Sequence, residues 1–169
     1  MVVVFGSINL DLVARVARLP RPGETLHGSS FATSPGGKGA NQALAARRAG
    51  ADVAMFGAVG RDAFAVPALA LLDAAGIDLA GVRATDAETG VALIHVDDAG
   101  QNAITVIPGA NALARAADVP DRVLGSDTTL ILQFETPHAE SLALAQRARA
   151  RGARVVLNPA PAATLSPAW

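Results

Sequence analysis

Short apolar runs alternate with longer stretches of helical periodicity along most of the chain. The runs of strand length cover residues 2–5, 53–57, 129–134 and 154–157. Apolar residues at helical spacing predict helices over residues 40–49, 64–75 and 138–151. Gly50, Gly76 and Gly152 stand where these helices should end. Because continuous apolar strands alternate with helices, the pattern indicates an α/β fold with a mostly parallel sheet covered by helices.

Two other parts of the chain have the alternating pattern of short, half-exposed strands. Residues 12–16 and 25–31 are alternating pieces on either side of a Pro22-Gly23 turn. Residues 90–96 and 102–107 flank the turn sequence Asp97-Asp98-Ala99-Gly100, which predicts a hairpin. We expect these pieces to form a small β layer beside the main sheet.

This difference in pattern predicts two structural units. The α/β core should comprise residues 1–11, 34–87 and 109–169, and the β layer should comprise residues 12–33 and 88–108. Within the core, residues 112–124 have a mixed pattern without a clear period. The sequence stops just after a strand and the start of the next connection, so we expect the main sheet to be incomplete.

Composition narrows the class of protein. The 169 residues are 51% hydrophobic but only 4% aromatic, which indicates an aliphatic core and argues against disorder. A net charge of −1 lacks the basic excess of a nucleic-acid-binding protein. The absence of cysteine excludes disulfides and thiolate metal sites and favours a cytoplasmic location. No apolar run is long enough for a membrane span, and the N-terminus lacks the basic region of a signal peptide.

A glycine-rich segment, Ser34-Pro35-Gly36-Gly37-Lys38-Gly39, precedes the first predicted helix. It is not a P-loop, because Ala32 occupies the position of the first glycine. It is not a dinucleotide fingerprint, because Gln42 replaces the third glycine. Two interpretations stay open: a structural turn, or backbone amides that face a polar ligand at a helix N-terminus. Lys38 is the only lysine of the chain, which favours a chemical role for it.

Polar residues follow two of the predicted strands. Asn9 and Asp11 occupy alternate positions after the first strand, so both side chains can face one side. Glu135 ends another apolar run, and Asn41 lies one turn into the helix after the glycines. Ligands of open α/β sheets bind at the carboxyl ends of the strands. Amide and carboxylate groups at that place suit the adjacent hydroxyls of a sugar.

Six motifs follow one another across nearly the whole chain. They are Gly6-Ser7-Ile8-Asn9-Leu10-Asp11, Gly36-Gly37-Lys38-Gly39-Ala40-Asn41-Gln42-Ala43, Thr89-Gly90-Val91-Ala92, Pro108-Gly109-Ala110-Asn111, Gln133-Phe134-Glu135 and Asn158-Pro159-Ala160-Pro161. Together they resemble the ribokinase-type members of the PfkB carbohydrate kinase family. The resemblance implies a ribokinase-like fold of α/β/α layers, with the small β layer as a lid.

The resemblance also implies functional roles. Six residues match positions that bind ribose hydroxyls in the family: Asn9, Asp11, Gly37, Lys38, Asn41 and Glu135. The lid would close over the sugar, exclude water and pair with the lid of a second subunit in a homodimer. ATP and Mg²⁺ are the implied cofactors, with K⁺ as a further candidate, and their sites are expected outside this chain.

Two motifs of the family are absent from the sequence. One is the Asn-x-x-Glu motif, linked to magnesium and phosphate; the other is the Gly-Ala-Gly-Asp motif, which supplies an anion hole and the catalytic base. We therefore expect no catalytic and no metal-ligating residue here, and interpret the chain as the sugar-binding half of a kinase that converts D-ribose to ribose 5-phosphate. A kinase for deoxyribose, a nucleoside or a fructose derivative is one alternative, and a non-catalytic sugar-binding module is another.

Some other polar residues have structural interpretations. We expect Asp62 to cap the helix that follows it rather than to bind a ligand. His27, His95 and His138 lack the spacing of metal ligands and are assigned to the surface or the lid. Asn158 either ends a strand or lies next to the site.

Overall fold

A computed structural model describes residues 1–165, 167 and 169, and within them the chain forms nine strands, three α-helices and three short 3-10 turns. The strands are β1 (Val2–Phe5), β2 (Asn9–Arg15), β3 (Ser30–Gly36), β4 (Val53–Gly60), β5 (Asp78–Thr85), β6 (Gly90–Val96), β7 (Asn102–Ile107), β8 (Thr129–Leu132) and β9 (Arg154–Leu157). The helices are α1 (Lys38–Arg48), α2 (Ala65–Ala74) and α3 (His138–Ala150). The 3-10 turns are Gly109–Leu113, Ala116–Asp118 and Asp121–Val123.

Five strands form one parallel sheet, the main sheet, in the order β5-β4-β1-β8-β9. Successive residues of its central strand β1 face opposite sides of the sheet. Val3 and Phe5 pack in the cluster that contains α3, whereas Val4 packs in the cluster that contains α1 and α2. The main sheet therefore lies between two layers of helices, which confirms the predicted α/β fold.

The other four strands form a second sheet, the lid sheet, in the order β3-β2-β6-β7. Its inner strands β2 and β6 are parallel, and the outer strands β3 and β7 are antiparallel to them. Asn9 pairs with both Gly36 and Gly90 at the end of this sheet that adjoins the core. The predicted division assigned residues 9–11 and 34–36 to the core, but both segments are parts of lid-sheet strands.

Two details of the sequence-based strand assignment are wrong. The strand expected over residues 25–31 lies instead at Ser30–Gly36 and leads directly into α1. Pro35 makes this strand hard to predict, yet it is tolerated because β3 is at the edge of the lid sheet. The apolar pattern does not predict β5 at all, since Asp78 and Gly81 are poor strand formers. That strand pairs with β4 at an edge of the main sheet, where backbone hydrogen bonds compensate for weak propensity.

The predicted hairpin is confirmed with the same bounds, as β6 and β7, and the last strand agrees as β9. Residues 109–124, which include the segment of mixed pattern, contain the three 3-10 turns, and the buried Ala114, Ala116 and Val119 in and between these turns cover the α3 side of the main sheet. At the β9 edge of that sheet, Val156 is 44% exposed.

None of the helices in the described part of the chain is long and apolar enough to cross a membrane.

Candidate functional site

A cavity of about 150 Å³ lies where the start of α1 meets the lid sheet. All six residues that the family resemblance singles out line this cavity: Asn9, Asp11, Gly37, Lys38, Asn41 and Glu135. The remaining lining residues are Ala92, Ile94, Ile104 and Val106, which we call the lid wall. A larger cavity of about 470 Å³ also has Asn9, Lys38 and Glu135 in its lining. Residues far apart in sequence thus converge on one place, and their role in sugar binding stays a prediction.

The turn from β3 into α1 consists of Gly37 alone, and it depends on glycine. Gly37 has a φ of 90°, which side chains disfavour, and a Cβ there would lie 2.8 Å from the carbonyl oxygen of Ser7. A Cβ on Gly39 would lie 2.6 Å from backbone atoms of Gly6 and Ser7. The helix can therefore sit directly against the end of β1 only because these side chains are missing.

The first amides of α1 are used within the protein. Lys38 N–H donates to Glu135 Oε2 at 3.0 Å, and Gly39 N–H donates to Ser7 Oγ at 3.2 Å. Ala40 N–H donates to the carbonyl oxygen of Ser7 at 2.9 Å. The glycine-rich segment is thus a structural turn in which backbone approaches backbone. The bonding of the Lys38, Gly39 and Ala40 amides within the protein favours the structural interpretation for these three groups.

Glu135 is held at the bottom of the cavity by three groups. Ser7 Oγ–H donates to its Oε2 at 2.6 Å, together with the Lys38 amide. Lys38 Nζ lies 3.6 Å from its Oε1, and the Glu135 side chain is only 13% exposed. Hydrogen bonds to a carboxylate and a nearby ammonium offset the cost of burying its charge. Oε2 is therefore fully engaged, while Oε1 is the oxygen that remains for a ligand.

Asn9 is buried between the lid sheet and the turn Gly109–Leu113. Its Oδ1 accepts a 2.7 Å hydrogen bond from Asn111 Nδ2. Asn111 also pairs with the peptide of Ile8, accepting from its N–H at 2.9 Å and donating to its carbonyl at 3.1 Å. Gly90 leaves room for this pair, since a Cβ there would lie 2.2 Å from Asn111 Nδ2. We call Ser7, Asn9, Lys38, Asn111 and Glu135 the polar floor.

Asp11 stands beside the polar floor on β2. Burial raises the pKa of its carboxyl above the ordinary value of 3.8, and the negative charge of Glu135 raises it further. Lys38 acts in the opposite direction, but its effect on this pKa is smaller. Gly36 is the strand partner of Asn9, and a Cβ on it would lie 2.3 Å from Asp11 Oδ1, so glycine is also needed here to seat the carboxylate. Hydrogen bonds that ligand hydroxyls donate to Asp11 would favour its ionised form and so act against this rise in pKa.

Sequence reasoning missed several residues of the site. Ser7 and Asn111 were placed in motifs without a role, yet both fix the side chains that line the cavity. Their place in the motifs was the only sequence signal for these two residues. It did not reveal their contacts, because Glu135 and Asn9, their partners, lie about a hundred residues away in sequence. The lid wall was also missed, because apolar residues on alternate positions of a strand predict only that one face is covered.

Asp62 caps α2 as expected, and it does more. Its Oδ1 accepts from the Phe64 and Ala65 amides at 3.0 and 3.2 Å, and its Oδ2 accepts from the Thr89 amide at 2.7 Å. The Thr89 hydroxyl donates to Oδ1 at 2.8 Å. Partial burial acts to raise the pKa of Asp62, but these hydrogen bonds outweigh it and lower that pKa. Asp62 thereby connects α2 to the residue before lid strand β6.

The implied cofactors ATP and Mg²⁺ do not fit the cavity. Its acidic groups are Asp11 and Glu135, and among the described residues no three His, Asp or Glu side chains are grouped to hold a metal ion. Its one cation, Lys38, already pairs with Glu135, and the α1 amides that could bind a phosphate are occupied. The polar groups around the cavity instead suit a small neutral molecule with hydroxyls.

Comparison with known proteins identifies the wider group. Residues 1–168 match the family described as pfkB family carbohydrate kinase. A ribokinase of Lactococcus lactis is 42% identical over 163 residues, which cover 94% of this chain and 54% of that protein. A ribokinase of Schizosaccharomyces pombe is also 42% identical, over 98% of this chain and 55% of its own length. The chain thus spans about half the length of the curated relatives it matches.

The fold is similar to that of a solved relative. A crystal structure of ribokinase from Thermotoga maritima superposes with a TM-score of 0.88 at 32% identity, over 98% of this chain and 54% of that one. The match therefore covers the main sheet, the lid sheet and the cavity between α1 and the lid sheet. Sequence and structure agree that the chain belongs to the pfkB family of carbohydrate kinases.

Proposed function

We propose that this chain forms the sugar-binding part of an ATP-dependent kinase of ribokinase type, which phosphorylates D-ribose to ribose 5-phosphate. One observation carries the proposal: the six residues singled out by the resemblance line a single cavity between α1 and the lid sheet. Membership of a carbohydrate kinase family supports ATP as phosphoryl donor and Mg²⁺ as its usual partner. A K⁺ requirement and a cytoplasmic location stay predictions.

The chemistry of the cavity suits a sugar. Asp11 and Glu135 are acceptors for hydroxyl protons, and Asn9 and Lys38 are donors to hydroxyl oxygens. The lid wall offers apolar contact to the C–H groups of a sugar ring. A ligand enclosed in this way would be held with one hydroxyl fixed for transfer and with water kept away from it.

In the proposed reaction this chain positions the acceptor and does not activate it. The motifs that the resemblance links to the base, the anion hole and magnesium are absent from its sequence. Loss of a general base alone typically costs about 10²–10⁴-fold in rate. We therefore expect this chain by itself to bind ribose weakly and to produce no measurable ADP.

Binding and turnover are tested separately. Isothermal titration of the chain with ribose, fructose and adenosine should give heat with ribose, and Glu135→Gln should weaken ribose binding by roughly tenfold or more, because a charged acceptor is lost. Glu88→Gln is the matched control, since Glu88 is exposed and outside the cavity. Equal ribose affinity of the Glu135 and Glu88 variants would refute the site, and ribose-dependent ADP formation by this chain would refute its passive role.

We further propose that the lid sheet pairs with a second copy in the complete protein. Two apolar side chains on its edge strands, away from the cavity, are exposed: Phe31 by 68% and Ile107 by 42%. Exposed apolar strands at the edge of a sheet favour association. The masses from light scattering at micromolar concentration should be those of a dimer, and Phe31→Asp should give monomers.

Val66→Asp provides the matched control for self-association. Val66 is 79% exposed on α2, outside the lid sheet, so the charge is added at comparable exposure. The control should stay dimeric. A monomeric parent protein, or dimers that persist in the Phe31 variant, would count against pairing through the lid.

A further inference from the structure

The contacts of the buried Asn111 determine the orientation of the amide of Asn9, a residue that lines the cavity. Asn111 is 1% exposed and lines the larger cavity but not the one enclosed by the lid wall. Its amide makes three hydrogen bonds, all to residues 8 and 9. All of its polar atoms are therefore engaged within the protein.

The orientation of the Asn111 amide is determined by the backbone. The Ile8 N–H can only donate, so the atom of Asn111 that faces it at 2.9 Å must be the oxygen. The Asn111 nitrogen then faces the Ile8 carbonyl at 3.1 Å, which can only accept. If the amide were rotated by 180°, its NH₂ group would face the Ile8 N–H and its oxygen would face the Ile8 carbonyl, and neither pair can form a hydrogen bond. The hydrogen-bond network therefore allows a single orientation of this amide.

The orientation of Asn9 follows from that of Asn111. The second proton of Asn111 Nδ2 points to Asn9, so the atom of Asn9 at 2.7 Å must be its oxygen. Asn9 is 3% exposed and lines the cavity, and its Nδ2 makes no side-chain hydrogen bond to the described residues. The amide of Asn9 therefore keeps its donor end for the cavity.

We propose that Asn111 is a positioning residue that fixes Asn9 as a hydrogen-bond donor toward the ligand. Together with the acceptor Asp11 two residues along β2, this gives one donor and one acceptor side by side on the cavity face of one strand. This pair suits a ligand with two adjacent substituents, of which one accepts a hydrogen bond from Asn9 and the other donates a hydrogen bond to Asp11. Hydroxyls fulfil both requirements, whereas a protonated amine opposite Asn9 would meet a donor. The consequence for ligand choice rests on the sugar-binding function proposed above.

The side-chain orientation is tested without any ligand, by hydrogen exchange of the side-chain amide protons in ¹⁵N-labelled protein. In the wild type, the Asn111 protons should be protected and the Asn9 protons should exchange at least roughly tenfold faster, because only the former are bonded within the protein. In Asn111→Asp, the acid presents an oxygen to Asn9, whose amide should rotate. Its protons should then exchange roughly tenfold more slowly and ribose affinity should fall by at least tenfold.

A second variant covers the case in which Asn111→Asp does not fold. Asn9→Asp keeps an oxygen for Asn111, so the Asn111 protons should stay protected while ribose affinity drops by roughly tenfold. Gln146→Glu, an amide-to-acid change on the exposed face of α3, should change neither exchange nor affinity.

The outcomes separate the two proposals. Wild-type Asn9 protons as protected as those of Asn111, or Asn9 exchange that is unchanged in folded Asn111→Asp, would overturn the role of Asn111. Ribose affinity that is unchanged in Asn9→Asp would overturn the donor role of Asn9 toward the ligand. If the exchange pattern is as expected but ribose does not bind the wild type, the fixed donor stands and the proposed sugar is wrong.

Discussion

The polar floor and the lid wall enclose the same cavity but are built in different ways. Each floor side chain is held by contacts with others: Ser7 with Glu135, Lys38 with Glu135, and Asn111 with Asn9. The lid wall is held by the pairing of β6 and β7, and Ile104 and Val106 are 52% and 44% exposed. Buried hydrogen-bond networks define one geometry, whereas an exposed apolar surface tolerates several. The floor is therefore organised before a ligand arrives, and the wall completes its contacts afterwards.

The largest expected effect comes from breaking the backbone contact beneath the floor. Alanine at position 39 suits a helix, but its Cβ would lie 2.6 Å from backbone atoms of Gly6 and Ser7. The displacement required should lower the free energy of unfolding by about 3 kcal/mol or more, since the obstacle is main chain and cannot rotate away. Urea denaturation of Gly39→Ala measures this change.

Gly125→Ala is the matched control for that experiment. A Cβ at position 125 meets nothing within 4 Å, and this glycine has no positive φ. The control should stay within about 0.5 kcal/mol of the parent protein. Similar stability of the two variants would mean that the contact between α1 and the end of β1 is not tight. The polar floor would then not depend on close approach of these two segments.

An intermediate effect is expected at Asp11, where ligand binding and stability should change in opposite directions. Because the pKa of the folded protein is raised above 3.8, Asp11 favours the folded state at low pH, and this contribution is lost as pH rises through the raised pKa. Asp11→Asn removes that loss. At pH 7 the variant should melt about 1–3 °C higher than the parent, yet bind ribose roughly tenfold more weakly.

The pH dependence provides the check on Asp11. The difference in melting temperature between the variant and the parent should shrink as the pH falls through the raised pKa of Asp11 toward 3.8, because the parent carboxyl is then protonated as well. A difference that is constant with pH would mean that the stability change has another cause than ionisation. Unchanged ribose affinity would remove Asp11 from the site.

The same contrast explains how much of the molecule could be predicted from its sequence. The hairpin of β6 and β7 agrees in its bounds because alternating residues flank a Gly100 turn. The weak edge strand β5 and the proline-containing β3 owe their conformation to neighbouring strands, so local patterns do not reveal them. In the site, residue types suggested which side chains meet a ligand. The supporting contacts of Ser7 and Asn111 depend on how distant segments approach one another, which propensity and spacing do not encode.

The smallest effect is expected in the lid wall. Ile104→Thr keeps a β-branched residue on β7, so strand formation is retained, and the side chain is already half exposed. The free energy of unfolding should change by no more than about 0.5 kcal/mol, and ribose affinity should fall about two- to threefold through lost apolar contact. Thr105→Val, on the opposite face of the same strand, controls for composition and should leave affinity unchanged. Titration calorimetry and urea denaturation measure both quantities in both variants.

A loss of affinity beyond about tenfold, or a destabilisation like that of Gly39→Ala, would mean that the wall is as rigidly determined as the floor. The distinction between an organised floor and an adaptable wall would then have to be abandoned.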